Sequence, residues 1–126
     1  MIIQTTKQNG ILVAEVTPPD ACIQTDSALL QLVGDMFYEN ANHIILCEQQ
    51  LPSAFFDLST GLAGAFLQKF VNYQMKVAIV GDFSAYASSS LPAFIRECNR
   101  GNQIFFCASR DEALARLTKE EQQTSI

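Results

Sequence analysis

The chain has 126 residues, of which 48% are hydrophobic and 17% charged, and a net charge of −5, a profile that fits one folded domain with a real core and excludes a disordered segment. Its 8 Lys and Arg are scattered along the chain, which excludes the clustered basic surface that nucleic acids or anionic membranes require. Apolar runs such as Ile44–Cys47 and Val77–Val80 fall far short of the ~20 residues of a membrane span. The start, Met1-Ile2-Ile3-Gln4-Thr5, lacks a basic n-region and a long apolar run, so the expectation is a cytoplasmic protein with no membrane and no nucleic-acid partner.

Residues Ile2–Thr6 and Ile11–Val16 are strand-like and flank Asn9-Gly10, a strong hairpin signal. The chain then bends through Pro18-Pro19. From Thr25 a helical pattern places Ala28, Leu29, Leu32, Val33, Met36 and Phe37 on one face, with Thr25 or Asp26 as cap. His43–Cys47 has the character of a buried strand, and Glu48–Phe56 is a connector containing Pro52. The next helix carries the stripe Leu62, Ala63, Phe66, Leu67, Phe70 and Val71. Lys76–Gly81 is a second buried strand, followed by a polar loop holding Asp82, Ser84 and Ser88–Ser90.

A third helix groups Leu91, Phe94, Ile95 and Cys98, with Pro92 in its first turn and Asn99-Arg100-Gly101 as its stop. Gln103–Cys107 forms the last strand. Ser109-Arg110-Asp111-Glu112 reads as a capping box for a final helix with Ala113, Leu114 and Leu117. The order β-β-α-β-α-β-α-β-α implies an α/β fold with a largely parallel sheet after the opening hairpin. Residues 1–117 are expected to form one domain, and 118–126 a polar, frayed tail. Ligands of such sheets bind at the carboxyl ends of the strands near a topological switch point, which directs attention to Glu48–Gly61 and Asp82–Ser90.

The cysteines, Cys22, Cys47, Cys98 and Cys107, contain no C-x-x-C, so neither a zinc ribbon nor a thioredoxin-type couple is signalled. Cys47, Cys98 and Cys107 fall on apolar positions and read as reduced core thiols. The sole histidine, His43, precedes Cys47 by four residues, roughly 13 Å along a strand, too far for a local Cys–His pair. His43 therefore reads as structural. No dinucleotide, P-loop, nucleophile-elbow or zincin motif occurs, and no catalytic residue, cofactor or metal is assigned.

The most pointed segment is Asp57-Leu58-Ser59-Thr60-Gly61-Leu62-Ala63-Gly64, a polar turn opening an apolar helix. Its side-chain oxygens are what the orphan N–H groups of a helix start require, which makes capping one reading. A hydroxyl at a helix N-terminus is also a phosphoacceptor position, so Asp57, Ser59, Thr60 and Gly61 form the second reading. Glu48, Asp57 and Asp82 lie near the same sheet edge, either as solvated acids and caps or as carboxylates converging on a ligand. The adjacent rings Phe55 and Phe56 plug the core or meet a partner. Glu48, Phe55, Phe56, Asp82, Phe83 and Ser84 form the candidate ligand or partner surface.

Phe55-Phe56-Asp57-Leu58, Thr60-Gly61-Leu62-Ala63-Gly64, Leu67-Gln68-Lys69-Phe70 and Asn72-Tyr73 resemble the bacterial domain of unknown function 4180 family, as do Lys76–Phe83 and Phe94–Gly101. The resemblance covers roughly residues 1–117 and implies no activity. The element order is also similar to that of STAS domains of anti-sigma factor antagonists, which implies a STAS-like mixed sheet. Those domains carry an Asp-Ser-Ser/Thr-Gly-Leu-Gly turn phosphorylated on its first hydroxyl. Ser59-Thr60-Gly61-Leu62 aligns with it and makes Ser59 the acceptor, although Leu58 then occupies the acidic position and Asp57 is displaced by one.

The leading expectation is a non-enzymatic regulatory or interaction domain using the Asp57–Gly61 turn, with a protein partner or a second copy of the chain. The alternative is a small-ligand binder or enzyme with a pocket between that turn and the Asp82–Ser90 loop.

Overall fold

The computed structural model of the protein describes residues 2–17, 23–86 and 90–118. Strands β1 (Ile2–Gln8) and β2 (Ile11–Thr17) pair antiparallel, with Gln8 opposite Ile11 across the Asn9-Gly10 turn. Asn9 and Gly10 have φ of 54° and 79°, the left-handed pair that a two-residue hairpin demands and that these residue types tolerate. The chain continues through α1 (Asp26–Tyr38), β3 (His43–Cys47), α2 (Leu62–Asn72), β4 (Lys76–Val80), α3 (Leu91–Arg100), β5 (Ile104–Cys107) and α4 (Arg110–Leu117). Thr25 caps α1 by accepting from the Ala28 N–H at 3.1 Å.

The five-stranded sheet has the order β1-β2-β3-β4-β5, with β2 to β5 parallel and β1 antiparallel. This is the mixed α/β architecture that the alternation of elements predicts. Each parallel crossover steps one place in the same direction, so crossovers of one hand deliver α1, α2 and α3 to one face. Ala14, Ile44, Leu46, Val77, Ile79 and Phe106 point to that face and form the main core with Leu32, Met36, Phe66 and Phe70. Val13, Ile45, Ala78 and Phe105 point to the other face, where α4 covers them with Ala113, Leu114 and Leu117. Because the strand order never reverses, the expected switch-point crevice does not form.

Several local expectations need correction. Phe37, assigned to the buried stripe of α1, is 59% exposed, because Leu29, Leu32, Val33 and Met36 already fill the sheet-facing side. Gly101 ends α3 with φ −81°, so the helix stops without a left-handed residue. The capping box is rearranged: Ser109 Oγ accepts from the Glu112 N–H at 3.1 Å, but the Glu112 carboxylate reaches back to the Ala108 N–H. Thr118 is not frayed. It is buried, donates to the Leu114 carbonyl at 2.7 Å and meets Gln8 and Asn9 of the hairpin. Cys22, Pro18-Pro19, Ser88 and Ser89 and residues 119–126 lie outside the described residues.

Candidate functional site

The carboxyl end of β3 delivers Cys47, Glu48 and Gln50 into a short 3-10 turn. Gln50 has no exposed surface. Its Oε1 accepts from the Cys47 N–H at 2.8 Å, and its Nε2 donates to the Val16 carbonyl at 2.7 Å. Its own carbonyl accepts from the Ile23 N–H at 2.9 Å. One amide thus satisfies backbone groups where the β2–β3 ladder has ended, a need that any buried strand terminus must meet.

Glu48 does the same for β4. Its Oε1 accepts from the Asp82 N–H at 2.8 Å, and its Oε2 accepts from the Tyr86 hydroxyl. The carboxylate lies over Gly81, where a Cβ would stand 2.5 Å from Oε1. Burial, then the hydrogen bond to Glu48, and then its negative charge push the Tyr86 phenol up to about 12.

Aromatic rings close the space beneath this latch. Phe56 stacks on Tyr86 with centroids 4.6 Å apart, and Phe83 meets Phe106 edge-on at 5.2 Å. Phe55 and Phe56 are 1% and 2% exposed, so they lie in the core and contribute no contact surface. Phe56, which contacts both Phe83 and Tyr86, thus ties the segment before the Asp57–Gly61 turn to the Asp82 loop.

Asp57 and Asp82 stand at the head of matching turns. Asp57 Oδ1 accepts from the Ser59 hydroxyl at 2.7 Å and the Ser59 N–H at 3.2 Å. Asp82 Oδ1 accepts from the Ser84 hydroxyl at 2.6 Å and the Ser84 N–H at 3.1 Å. These bonds, the hydroxyl's first, hold the Asp82 carboxyl below its usual range. Each Asp thus caps a 3-10 turn, Leu58–Thr60 and Phe83–Ala85 respectively.

Ser59 and Thr60 consequently sit one turn before α2. Gly61, at φ 75°, links that turn to the helix, and Thr60 Oγ1 accepts from the Leu62 N–H at 3.2 Å. Thr60 also faces the Ala54 carbonyl at 2.8 Å and the Asp57 carbonyl at 2.9 Å, so its hydroxyl pins the turn from three sides. Ser59 is exposed, and its hydroxyl is held by Asp57.

An open cleft of about 630 Å³ lies on the other side of Phe83, between the carboxyl ends of β3 to β5 and the first turn of α4. Phe83 and Phe106 form its apolar wall, and Glu48, Asp82 and Glu112 supply carboxylates. The Asp57–Gly61 turn is not part of its lining. Glu48 and Asp82 are thus brought together, through a backbone N–H, while Asp57 stays with its own turn. Among the described residues, no group of three or more His, Cys, Asp or Glu side chains is placed to hold a metal ion.

Cys107 lines the cleft, and burial, then the charge of Glu112, push its thiol up to about 11. Cys47 and Cys98 are half-buried and also raised, chiefly by burial. His43 is buried at the start of β3 with Nδ1 2.8 Å from Asn42 Oδ1.

Sequence reasoning missed Gln50, Gly81 and Tyr86. The repeat Asp57-Leu58-Ser59 and Asp82-Phe83-Ser84 was a readable signal, since an Asp two residues before a hydroxyl favours this turn. No helix of the described residues is long and apolar enough to cross a membrane. None of the curated proteins compared with the chain matches it. The model of the domain of unknown function DUF4180 matches residues 8–117, which span the Asn9-Gly10 turn, the parallel strands β2 to β5 and helices α1 to α4, and the chain belongs to that family.

Proposed function

We propose that this protein is a cytoplasmic, non-enzymatic regulatory or interaction domain that engages a protein partner through the Asp57–Gly61 turn. The observation that carries the reading is the exposed Ser59 hydroxyl, held 2.7 Å from the Asp57 carboxylate on a turn that Thr60 pins to the chain beneath. A surface presented on such a fixed support binds without first having to be ordered. The thiols of Cys47 and Cys107 and the phenol of Tyr86 favour their protonated forms, which supports binding over nucleophilic chemistry at this edge.

Ser59 is the candidate switch. A phosphate there adds about two negative charges against Asp57, and like-charge repulsion opens the turn. Affinity capture from the native host, with wild-type and Ser59→Glu baits, tests this. A host protein enriched on wild type and lost on the variant supports the reading, and identical recovery overturns it.

A second reading rests on the cleft beside Phe83. Its three carboxylates and two rings suit a small organic cation. Thermal unfolding with a panel of amines would show stabilisation that Glu112→Gln removes. No shift with any amine sinks this reading.

A further inference from the structure

We propose that Asn99 and Arg116 form an autoinhibitory clasp that closes the β5 edge of the sheet against strand addition by a second copy of the chain. The inference goes beyond the partner reading above and uses none of its residues. The Val77 N–H donates to the Gln103 carbonyl and the Gly81 N–H to the Cys107 carbonyl, so Gln103, Phe105 and Cys107 turn their backbone groups towards β4. Ile104 and Phe106 turn theirs outward. On a strand of four residues these two are the whole template that the edge offers.

The Asn99 side chain occupies half of that template. Its Oδ1 accepts from the Phe106 N–H at 2.8 Å, and its Nδ2 donates to the Phe106 carbonyl at 3.2 Å. One amide thus makes both bonds that an opposed residue of an added antiparallel strand would make. Asn99 stands in the last turn of α3, where the final carbonyls lack helical partners. Arg116 reaches that turn from α4 on the opposite face of the sheet, and its Nη2 donates to the Asn99 carbonyl at 2.7 Å. The guanidinium also lies 4.4 Å from the centre of the Phe105 ring. The edge is therefore held from both faces.

The composition of β5 identifies the occupant that the clasp excludes. The nine residues between Arg100 and Arg110 carry no charge, and Gln103-Ile104-Phe105-Phe106-Cys107-Ala108 contains neither Pro nor Gly. An uncharged, β-prone segment of this length stacks with identical segments of other chains when its edge is open. Antiparallel pairing of two identical strands is self-complementary about a two-fold axis. The opposite edge of the sheet is protected differently, since β1 exposes Gln4, Thr5, Thr6 and the charged Lys7.

Amide hydrogen exchange combined with sedimentation velocity is the test. In Asn99→Ala the Phe106 N–H is expected to exchange about 10-fold or more faster relative to the N–H groups of Phe105 and Cys107. A general loss of stability speeds all three alike, so the ratio reads the clasp alone. Arg116→Met leaves the Asn99 amide in place and is expected to raise the same ratio about 3-fold. Asn99→Ala is also expected to form species heavier than wild type, increasingly so with concentration. Adding Gln103→Lys should return its sedimentation to that of wild type while Phe106 stays fast, because a lysine at a strand edge blocks pairing without replacing the amide. A Phe106 rate that keeps its wild-type ratio in both single variants overturns the proposal. So does an Asn99→Ala chain that sediments as wild type at every concentration, or heavier species that Gln103→Lys leaves intact.

Discussion

Gly81 lies directly under the side chain of Glu48, so that a Cβ at Gly81 would stand 2.5 Å from Oε1, 2.8 Å from Cδ and 2.9 Å from Cβ of that residue. The contact with Glu48 Cβ matters most, because that atom is tied to the backbone and cannot swing away as a carboxylate can. Gly81→Ala is therefore expected to expel Glu48 and break its bonds to the Asp82 N–H and the Tyr86 hydroxyl. Overpacking of this kind costs about 2 kcal/mol. Urea unfolding of Gly81→Ala, Glu48→Ala and the double variant measures it. The double variant should lose less than the sum of the singles, because both break the same bonds to the Asp82 N–H and the Tyr86 hydroxyl and Glu48→Ala removes the Oε1 and Cδ contacts, leaving only the Cβ contact to be relieved. Wild-type stability in Gly81→Ala would show that the loop absorbs the methyl group.

The latch also predicts a pH dependence. Tyr86 titrates at about 12 in the folded chain against an ordinary value of 10.0. The folded state thus binds this proton more tightly than the unfolded one. Its contribution is fully present below pH 10 and is lost as the pH rises to about 12. Two units correspond to at most ~2.7 kcal/mol, which solvent screening at this half-buried site reduces to about 1 kcal/mol. Tyr86→Phe should remove the highest step of the phenolate absorbance titration and flatten stability over that alkaline range. An unchanged titration curve in the variant would contradict the assignment.

The elements were legible because their signals are local. Asn9-Gly10 demands its hairpin, Thr25 its helix start, and the stripe Ala63, Phe66, Leu67, Phe70 its buried face. The strand order was not local. Whether β2 to β5 step in one direction or reverse is decided by packing between distant elements, and their uniform stepping removed the expected crevice. Phe37 misled for the same reason. Its spacing fits the apolar stripe, but α1 needs only one buried side against the sheet. At the candidate site, Asp57 and Asp82 could be read as caps from their spacing to Ser59 and Ser84. Glu48 could not be paired with Tyr86, because they are 38 residues apart and nothing in either neighbourhood names the other.

Gln50 was invisible in a polar connector, yet its side chain joins two strands. Replacing it by Ala strands the Val16 carbonyl and the Cys47 N–H at a site with no solvent exposure. Each buried unsatisfied group costs about 1–3 kcal/mol, so Gln50→Ala is expected to lose about 3 kcal/mol in denaturant unfolding. Gln50→Glu keeps the shape but exchanges the donor for a second acceptor facing the Val16 carbonyl. It should be at least as damaging at neutral pH, and should recover part of the loss in acid as the carboxyl gains a donor hydrogen. A mild Gln50→Ala phenotype would mean that water replaces the amide.

The thiols supply a last test, one that reads the cleft directly. Alkylation follows the thiolate fraction and access. Cys107 is 2% exposed and titrates at about 11 against an ordinary 9.0, which lowers its thiolate fraction about 100-fold at mildly alkaline pH. Cys47 and Cys98 are raised as well but are only half-buried, so they should react first, more slowly than a free thiol. Peptide mapping after timed iodoacetamide treatment resolves the positions. In the native protein Cys107 should stay unmodified after Cys47 and Cys98 are consumed, and it should react at their rate once the chain is unfolded. Glu112→Gln removes one carboxylate that raises the Cys107 thiol and should speed its native reaction, while Cys98 keeps its rate. Equal native rates at all three positions would mean that the carboxyl end of β5 is open to reagent, and that α4, through Ala113, Leu114 and Leu117, does not shield Cys107 on its face of the sheet.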